Sequence, residues 1–167
     1  MADPQTDPIR PTDDEARALA RGLIAQARFG ALATVTEGVP LVTRIALAAT
    51  PEGQPLTLVS RLAAHTAPLL AGGPVSLLVG EPGGKGDPLT HPRLTLQCTP
   101  DPVLRDDPGF AALAAHYAAL RPKSKLYIDF ADFLLVRFRP GSALLNGGFG
   151  RAFRLSPEDL IPADLPT

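Results

Sequence analysis

Tryptophan is absent from this sequence, and cysteine occurs once, at Cys98. A single cysteine cannot form an intramolecular disulfide or a cysteine-based zinc site, so we expect a buried, inert thiol in a reducing, cytoplasmic setting. Aromatic residues make up only 5% of the chain, so a flat cofactor would not be held by stacking on tryptophan. The histidines His65, His91 and His116 lack the spacing of metal ligands, and no metal site is predicted.

Long apolar runs and an excess of one charge are also missing. No apolar run approaches the length of roughly 20 residues that a membrane helix needs, and the polar N-terminus lacks the apolar core of a signal peptide. A net charge of −1 gives no sign of a nucleic-acid or membrane partner. With 167 residues, of which 45% are hydrophobic, the chain is expected to bury the core of one domain.

The hydrophobic pattern predicts mainly strands with flanking helices. Residues 1–11 are interpreted as a flexible N-terminal tail and residues 12–167 as a single domain. A capping box at residues 12–15, with Thr12 as the cap, begins a helix that Gly30 ends. Strands are predicted over 31–35, 40–48, 56–60, 75–81, 93–99, 132–139 and 142–146, and further helices over about 64–71, from Asp107 to Arg121 and after Ser156.

Most of these strands follow one another through short turns. This order is typical of an antiparallel sheet and not of alternating strands and helices. The sequence therefore predicts an α+β fold, mainly β, in which roughly six to seven antiparallel strands close into a small barrel with helices packed on its outside. Half-buried sheets of this kind often bury an apolar face by dimerising.

Polar side chains cluster where the third predicted strand meets the following helix, in residues 60–66. Ser60 and Thr66 offer hydroxyl groups, His65 offers a ring N–H, and Arg61 offers a guanidinium fork that matches a phosphate. The N-terminus of the following helix adds free amides. The same residues also fit a plain helix start, in which Thr66 is the N-cap and His65 is exposed. The pattern alone leaves both interpretations open.

Two other strands carry basic or polar side chains. Arg44 shares a strand face with Val42 and Ala46, where it either faces solvent or needs an anionic partner. On the fifth predicted strand, Arg93 and Gln97 lie on the polar face, which lines a pocket or faces water.

A glycine-rich segment, residues 146–151, places Phe149 and Arg151 between flexible backbone positions. Glycines there permit close approach to a flat molecule or to another chain, and a plain tight turn explains them equally well. The sequence has no Ser-His-Asp signature, no paired carboxylates in an apolar setting and no zinc-protease motif. If the protein is an enzyme, a bound cofactor is expected to supply the reactivity.

Several stretches taken together resemble a known family. The ordered set, above all SRLAAHT (60–66), THPRLTL (90–96) and GGFGRA (147–152), resembles the FMN-binding split β-barrel proteins related to pyridoxamine 5′-phosphate oxidase. Within that superfamily it is most similar to the haem-utilisation branch. The resemblance runs from about residue 15 to 160, and its other parts are GALATV (30–35), PLVTRIAL (40–47), LTLV (56–59), APLL (67–70), VSLLVGE (75–81), GDPL (86–89) and YIDFADFLLVRF (127–138).

The resemblance implies a homodimer with two FMN sites at the subunit interface. In this arrangement the second strand lies along the flavin, the segment 60–66 meets the phosphate, and the fifth strand approaches from beside it or from the partner subunit. His65 stands where relatives commonly have lysine. The cofactor-binding residues that the resemblance implies are Arg44, Ile45, Val59, Ser60, Arg61, Ala64, His65, Thr66, Arg93 and Gln97.

The implied function is that of an FMN-dependent oxidoreductase acting on a small molecule. Phe149 and Arg151 are the candidate substrate-pocket residues. The chain lacks the C-terminal tryptophan and basic residues of the vitamin B6 oxidases, so synthesis of pyridoxal phosphate is not expected. It also stops at Thr167, before the extra domain that carries haem contacts in longer haem-utilisation relatives. Haem binding without flavin turnover is the alternative function.

Overall fold

A computed structural model of the protein describes residues 8–161, which form nine strands and four α-helices. The strands are β1 (Ile9–Arg10), β2 (Phe29–Thr36), β3 (Val39–Ala46), β4 (Ala48–Ala49), β5 (Pro55–Ser60), β6 (Val75–Val79), β7 (Arg93–Val103), β8 (Phe133–Asn146) and β9 (Ala152–Leu155). The helices are α1 (Asp14–Gln26), α2 (Thr66–Leu70), α3 (Phe110–Leu120) and α4 (Pro157–Leu160), with short 3-10 helices at Pro88–Thr90 and Pro122–Leu126.

The described strands form one sheet in the order β1-β9-β8-β7-β6-β2-β3, and β5 pairs with β8 and with β4. Every pairing is antiparallel except that of β1 with β9. The sheet is not closed by one continuous ladder, because β3 ends at Ala46 and only the two-residue β4 reaches β5. The predicted α+β split barrel is confirmed, and this corner is where the barrel is split.

The structure has more strands than predicted because β1, β4 and β9 are additional short strands, although two of the predicted strands are one, since Pro140 and Gly141 do not end a strand. Residues 132–139 and 142–146 belong to one 14-residue strand, β8. The register between β7 and β8 shifts between Gln97 and Cys98, opposite Pro140, and such an irregularity accommodates a residue that has no N–H to donate. The four-residue strand β9 was not predicted, and β7 continues to Val103.

The N-terminal segment corrects two expectations. Ile9 and Arg10, placed in the flexible tail, instead pair with β9, and residues 1–7 of that tail lie outside the described residues. The cap of α1 is Asp13, whose side chain accepts the amide of Ala16 at 2.8 Å. Thr12 is not the cap, because its hydroxyl donates to the carbonyl of Arg154 at 2.8 Å.

Gly30 does not end α1, as was predicted, but lies inside β2. A Cβ at this position would lie 2.8 Å from Leu47 Cδ1 and 2.9 Å from the carbonyl oxygen of Leu78. Glycine is therefore required here by close packing against two neighbouring segments. The helix itself ends four residues earlier, at Gln26.

The core consists of two hydrophobic clusters. One joins Ala16, Ala20 and Ile24 of α1 to the inner face of the sheet, and the other lies under α3 around Phe110 and Tyr117. The first cluster includes Cys98, whose burial raises the pKa of the thiol to about 12, so the thiol is unreactive at neutral pH. Among residues 8–161, no helix is long and apolar enough to cross a membrane.

Arg121 holds the split corner of the barrel in place. Its guanidinium donates hydrogen bonds to the carbonyls of Ala27 (2.7 Å), Leu47 (2.6 Å) and Leu120 (2.7 Å). The amide of Leu47 in turn donates to the carbonyl of Arg28 at 2.9 Å. One side chain thereby ties the end of α1, the bend between β3 and β4, and the end of α3.

We expect Arg121→Ala to lower the free energy of unfolding by about 3 kcal/mol, because three backbone carbonyls lose a charged donor. Urea unfolding of both proteins measures the difference. Arg139→Ala is the matched control, because Arg139 is exposed on β8 and its side chain has no partner within residues 8–161. The control should change stability by no more than about 0.5 kcal/mol, and an equal loss in both variants would contradict the role of Arg121.

Candidate functional site: the turn between β5 and α2

The segment from Ser60 to Thr66 forms a tight turn that is held largely by Ser60. The carbonyl of Ser60 accepts the amide of Ala63 at 3.1 Å and the hydroxyl of Thr66 at 2.6 Å. The hydroxyl of Ser60 accepts the amide of Leu62 at 3.1 Å. Thr66 is fully buried, and it is the first residue of α2 and not its N-cap. The interpretation of this segment as a simple threonine cap is therefore wrong.

The same turn is anchored to the start of β8 by Asp132. The hydroxyl of Ser60 donates to Asp132 Oδ2 at 2.6 Å, and the amide of Arg61 donates to the carbonyl of Asp132 at 2.7 Å. Sequence reasoning did not select Asp132, which lies 72 positions from Ser60. Two sequence features included it, the predicted strand over 132–139 and the stretch from Tyr127 to Phe138 within the family resemblance, and neither marked it as a site residue.

Several hydrogen-bond donors of the turn remain available. The amides of Ala64 and His65 have no hydrogen-bond partner within residues 8–161. The guanidinium of Arg61 is exposed and makes no ion pair or hydrogen bond in that part of the chain. Two free amides beside a free guanidinium form a set of donors suited to a phosphate group.

His65 links the turn to β3. Its Nδ1 lies 3.0 Å from the hydroxyl of Thr43. Burial lowers the pKa of His65 below its usual value, so the imidazole is neutral at pH 7. At that pH His65 offers a hydrogen-bonding group but no positive charge.

The residues predicted along β3 and β5 differ in their exposure. Ile45 and Val59 are 4% and 3% exposed and pack in the core, so only their backbone atoms are available to a ligand. Arg44 is exposed, with its guanidinium carbon 5.5 Å from the centre of the Phe29 ring. Arg44 makes no ion pair within residues 8–161, so its charge remains available to an anion.

Arg93, another predicted cofactor-binding residue, pairs with the opposite end of β8 from Ser60. Ser60 pairs with Phe133, the first residue of β8, whereas Arg93 pairs with Asn146, the last. Those two residues of β8 are 13 positions apart. Arg93 donates to the carbonyl of Leu89 at 2.8 Å.

Gln97, Phe149 and Arg151 belong to the same distant half of the sheet. Gln97 accepts a hydrogen bond from the hydroxyl of Ser142 at 2.7 Å. Arg151 forms an ion pair with Glu15 at 2.9 Å, and Phe149 is 94% exposed. Within residues 8–161, no hydrogen bond or ion pair joins Gln97, Phe149 or Arg151 to the turn between β5 and α2.

The relationship inferred from the sequence is confirmed by comparison with known proteins. A family model described as pyridoxamine 5′-phosphate oxidase matches residues 16–144. The chain belongs to the pyridoxamine 5′-phosphate oxidase family.

Relatives named for haem are among the similar proteins. The chloroplastic non-canonical heme oxygenase HOZ of Arabidopsis thaliana is 34% identical over 122 residues, which is 73% of this chain and 36% of that protein. A heme binding protein from Mycobacterium smegmatis is 29% identical with a TM-score of 0.78, covering 91% of this chain and 61% of that one. HutZ, the heme storage protein from Vibrio cholerae, shares the fold at 22% identity, with a TM-score of 0.64 and coverage of 78% and 91%.

The lengths of these relatives differ from that of this chain. The chain spans about a third of the Arabidopsis protein and less than two thirds of the Mycobacterium structure, with coverages of 36% and 61%.

The lowered pKa of His65 predicts a specific loss of stability in acid. The unfolded state takes up a proton near pH 6.5, whereas the folded state resists protonation, so stability is greatest above that pH and falls as the pH drops through the folded pKa. We expect the free energy of unfolding of His65→Gln to fall less between pH 7.5 and 5 than that of the wild type, because glutamine keeps a hydrogen-bonding group and does not titrate.

Urea unfolding at a series of pH values measures this difference. The two proteins share every other titratable group, so the difference between their profiles isolates His65. Parallel profiles would show that His65 titrates alike in the folded and unfolded states.

Proposed function

We propose that this protein is an FMN-binding oxidoreductase and that the turn between β5 and α2 holds the phosphate of the cofactor. The observation that carries the proposal is the set of donors at this turn that have no partner within residues 8–161: the amides of Ala64 and His65 and the guanidinium of Arg61. A phosphate monoester carries about two negative charges at neutral pH and accepts hydrogen bonds through three oxygens. The donors fit this group in number, in type and in sign of charge.

The hydroxyl groups of the turn have a different role from its amides. A serine or threonine hydroxyl has one proton to donate. That of Ser60 goes to Asp132, and that of Thr66 goes to the carbonyl of Ser60. In the proposed site these two residues shape the turn, while Arg61, Ala64 and His65 contact the phosphate.

The cofactor supplies the chemistry in this proposal. A bound FMN transfers electrons or hydride, which the side chains of this protein cannot do alone. The protein binds the phosphate, orients the ring and presents a small-molecule substrate to it. The exposed Arg44 and the backbone of Ile45 and Val59 are the candidate contacts to the rest of the cofactor.

A second copy of the chain would complete the site. The strand register places four exposed apolar side chains on one face of the sheet. They are Val35 (58% exposed), Val42 (65%), Leu78 (43%) and Leu144 (46%). Arg44 and Gln97 lie on the same face. We infer that two copies pack through this face, which would cover the apolar side chains and bring residues of the distant half of the sheet to the FMN site of the partner.

Haem binding is the second candidate function, and the names of the Arabidopsis and Mycobacterium relatives favour it. Of the three histidines, His91 has both ring nitrogens engaged, one by the amide of Gly83 and one by the carbonyl of Lys85. Nε2 of His65 has no partner within residues 8–161, so His65 is the candidate iron ligand. A Soret band that forms with added haemin and is lost in His65→Ala, without uptake of FMN, would favour this candidate.

We expect the wild type to bind FMN with a dissociation constant in the micromolar range or below, about 8 kcal/mol or more of binding free energy. Arg61→Ala should weaken binding tenfold or more, because a charge-assisted hydrogen bond contributes about 1.5–3 kcal/mol. Quenching of flavin fluorescence measures both constants. Lys125→Ala is the control with the same loss of charge, because Lys125 is exposed on the 3-10 helix after α3 and its side chain has no partner within residues 8–161, and it should bind like the wild type. A wild type that takes up no FMN would refute the proposal.

The dimer face makes a separate prediction. Val42→Glu combined with Leu78→Glu should dissociate the homodimer, because each face would then bury two like charges in contact with apolar groups. Sedimentation velocity measures the mass of the wild type and the variant. Leu126→Glu is the matched control, because Leu126 is 78% exposed on the 3-10 helix after α3, outside this face. A monomeric wild type, or a variant that remains dimeric, would contradict the assignment of the interface.

A further inference from the structure

Asp132 contacts the candidate phosphate site through both its side chain and its backbone. Its carboxylate accepts the Ser60 hydroxyl at 2.6 Å, and its carbonyl accepts the Arg61 amide at 2.7 Å. Asp132 is half-buried and immediately precedes Phe133, which pairs with Ser60 in the sheet. The two bonds therefore fix the first two residues of the turn against β8.

The remaining bonds of the turn depend on Ser60. Its carbonyl accepts from Ala63 and Thr66, and its hydroxyl accepts the amide of Leu62. A hydroxyl that accepts from Leu62 while donating to Asp132 has a fixed orientation. The orientation of Ser60, and with it the path of the following residues, is set by the carboxylate.

We propose that Asp132 is the positioning residue of the phosphate site, an inference that rests on the proposed function. Asp132 holds Ser60 and Arg61 so that the amides of Ala64 and His65 and the guanidinium of Arg61 converge on the phosphate. It does not pair with the guanidinium, since no ion pair joins Asp132 to Arg61 within residues 8–161. Its contribution is therefore the hydrogen bond to Ser60 and not its charge, which would repel a phosphate.

The test compares FMN with riboflavin, which has the same ring system but no phosphate. We expect Asp132→Ala to weaken FMN binding tenfold or more and to leave riboflavin binding within about threefold of the wild type. Asp132→Asn keeps an acceptor for the Ser60 hydroxyl and should bind FMN at least as tightly as the wild type. Ser60→Ala should weaken FMN binding at least as much as Asp132→Ala, because it also removes the acceptor of the Leu62 amide, and the double variant should bind FMN no more weakly than Ser60→Ala alone.

Asp129→Ala is the matched control, because Asp129 is exposed in the same segment and its side chain has no partner within residues 8–161. It should bind both flavins like the wild type. If Asp132→Ala does not fold, Ser60→Ala carries the same comparison of the two flavins.

Three results would overturn the inference. Unchanged FMN binding in Asp132→Ala would remove the positioning role, and equal weakening of both flavins would mark a general loss of structure. Weak FMN binding in Asp132→Asn would show that the charge is required. Failure of the wild type to bind FMN is a distinct result, because it removes the proposed function itself.

Discussion

Ser60 lies opposite Phe133 in the antiparallel pairing of β5 with β8, and this register brings Asp132 beside the turn that follows β5. Ser60 donates a hydrogen bond to Asp132, and its carbonyl accepts hydrogen bonds from Ala63 and Thr66. Because buried polar groups are costly unless paired, these inner bonds leave few conformations open to the turn. Within residues 8–161, these hydrogen bonds leave the amides of Ala64 and His65 without a partner. A shift of β5 along β8 would remove this arrangement.

The candidate phosphate site carries little net positive charge. His65 is neutral at pH 7, and the carboxylate of Asp132 opposes an anion, so Arg61 and the exposed Arg44 are the formal positive charges available. Backbone amides therefore have a large share in recognising a phosphate. Amides held by a turn need no reorganisation on binding, which compensates for a low net charge. A second copy of the chain would add polar residues such as Gln97 from the distant half of the sheet.

Local pattern was a good guide to the helices and strands and a poor guide to where they end. Period-two alternation located β2, β6 and β7, along which buried residues alternate with more exposed ones, whereas β5 is buried on both faces and β3 is exposed along most of its length. Pro140 and Gly141 suggested a turn, yet the irregularity opposite them lets β8 continue as one strand. Gly30 suggested a helix end, yet it is required by packing against Leu47 and the backbone of Leu78. In both cases the deciding contact is made by a residue remote in sequence.

The sequence by itself determined the α+β class, the family and the segment from Ser60 to Thr66 as the candidate phosphate site. The fold class rests on hydrophobic periodicity, whereas the family and the phosphate interpretation of residues 60–66 rest on the resemblance of an ordered set of short stretches to known proteins. Only the tertiary structure decided which donors of that segment are free and which are engaged. It also added Asp132 to the site, and within residues 8–161 no hydrogen bond or ion pair joins Arg93, Phe149 or Arg151 to it. Strand register set these pairings, and register depends on contacts between residues as far apart as Ser60 and Asp132, which no local pattern contains.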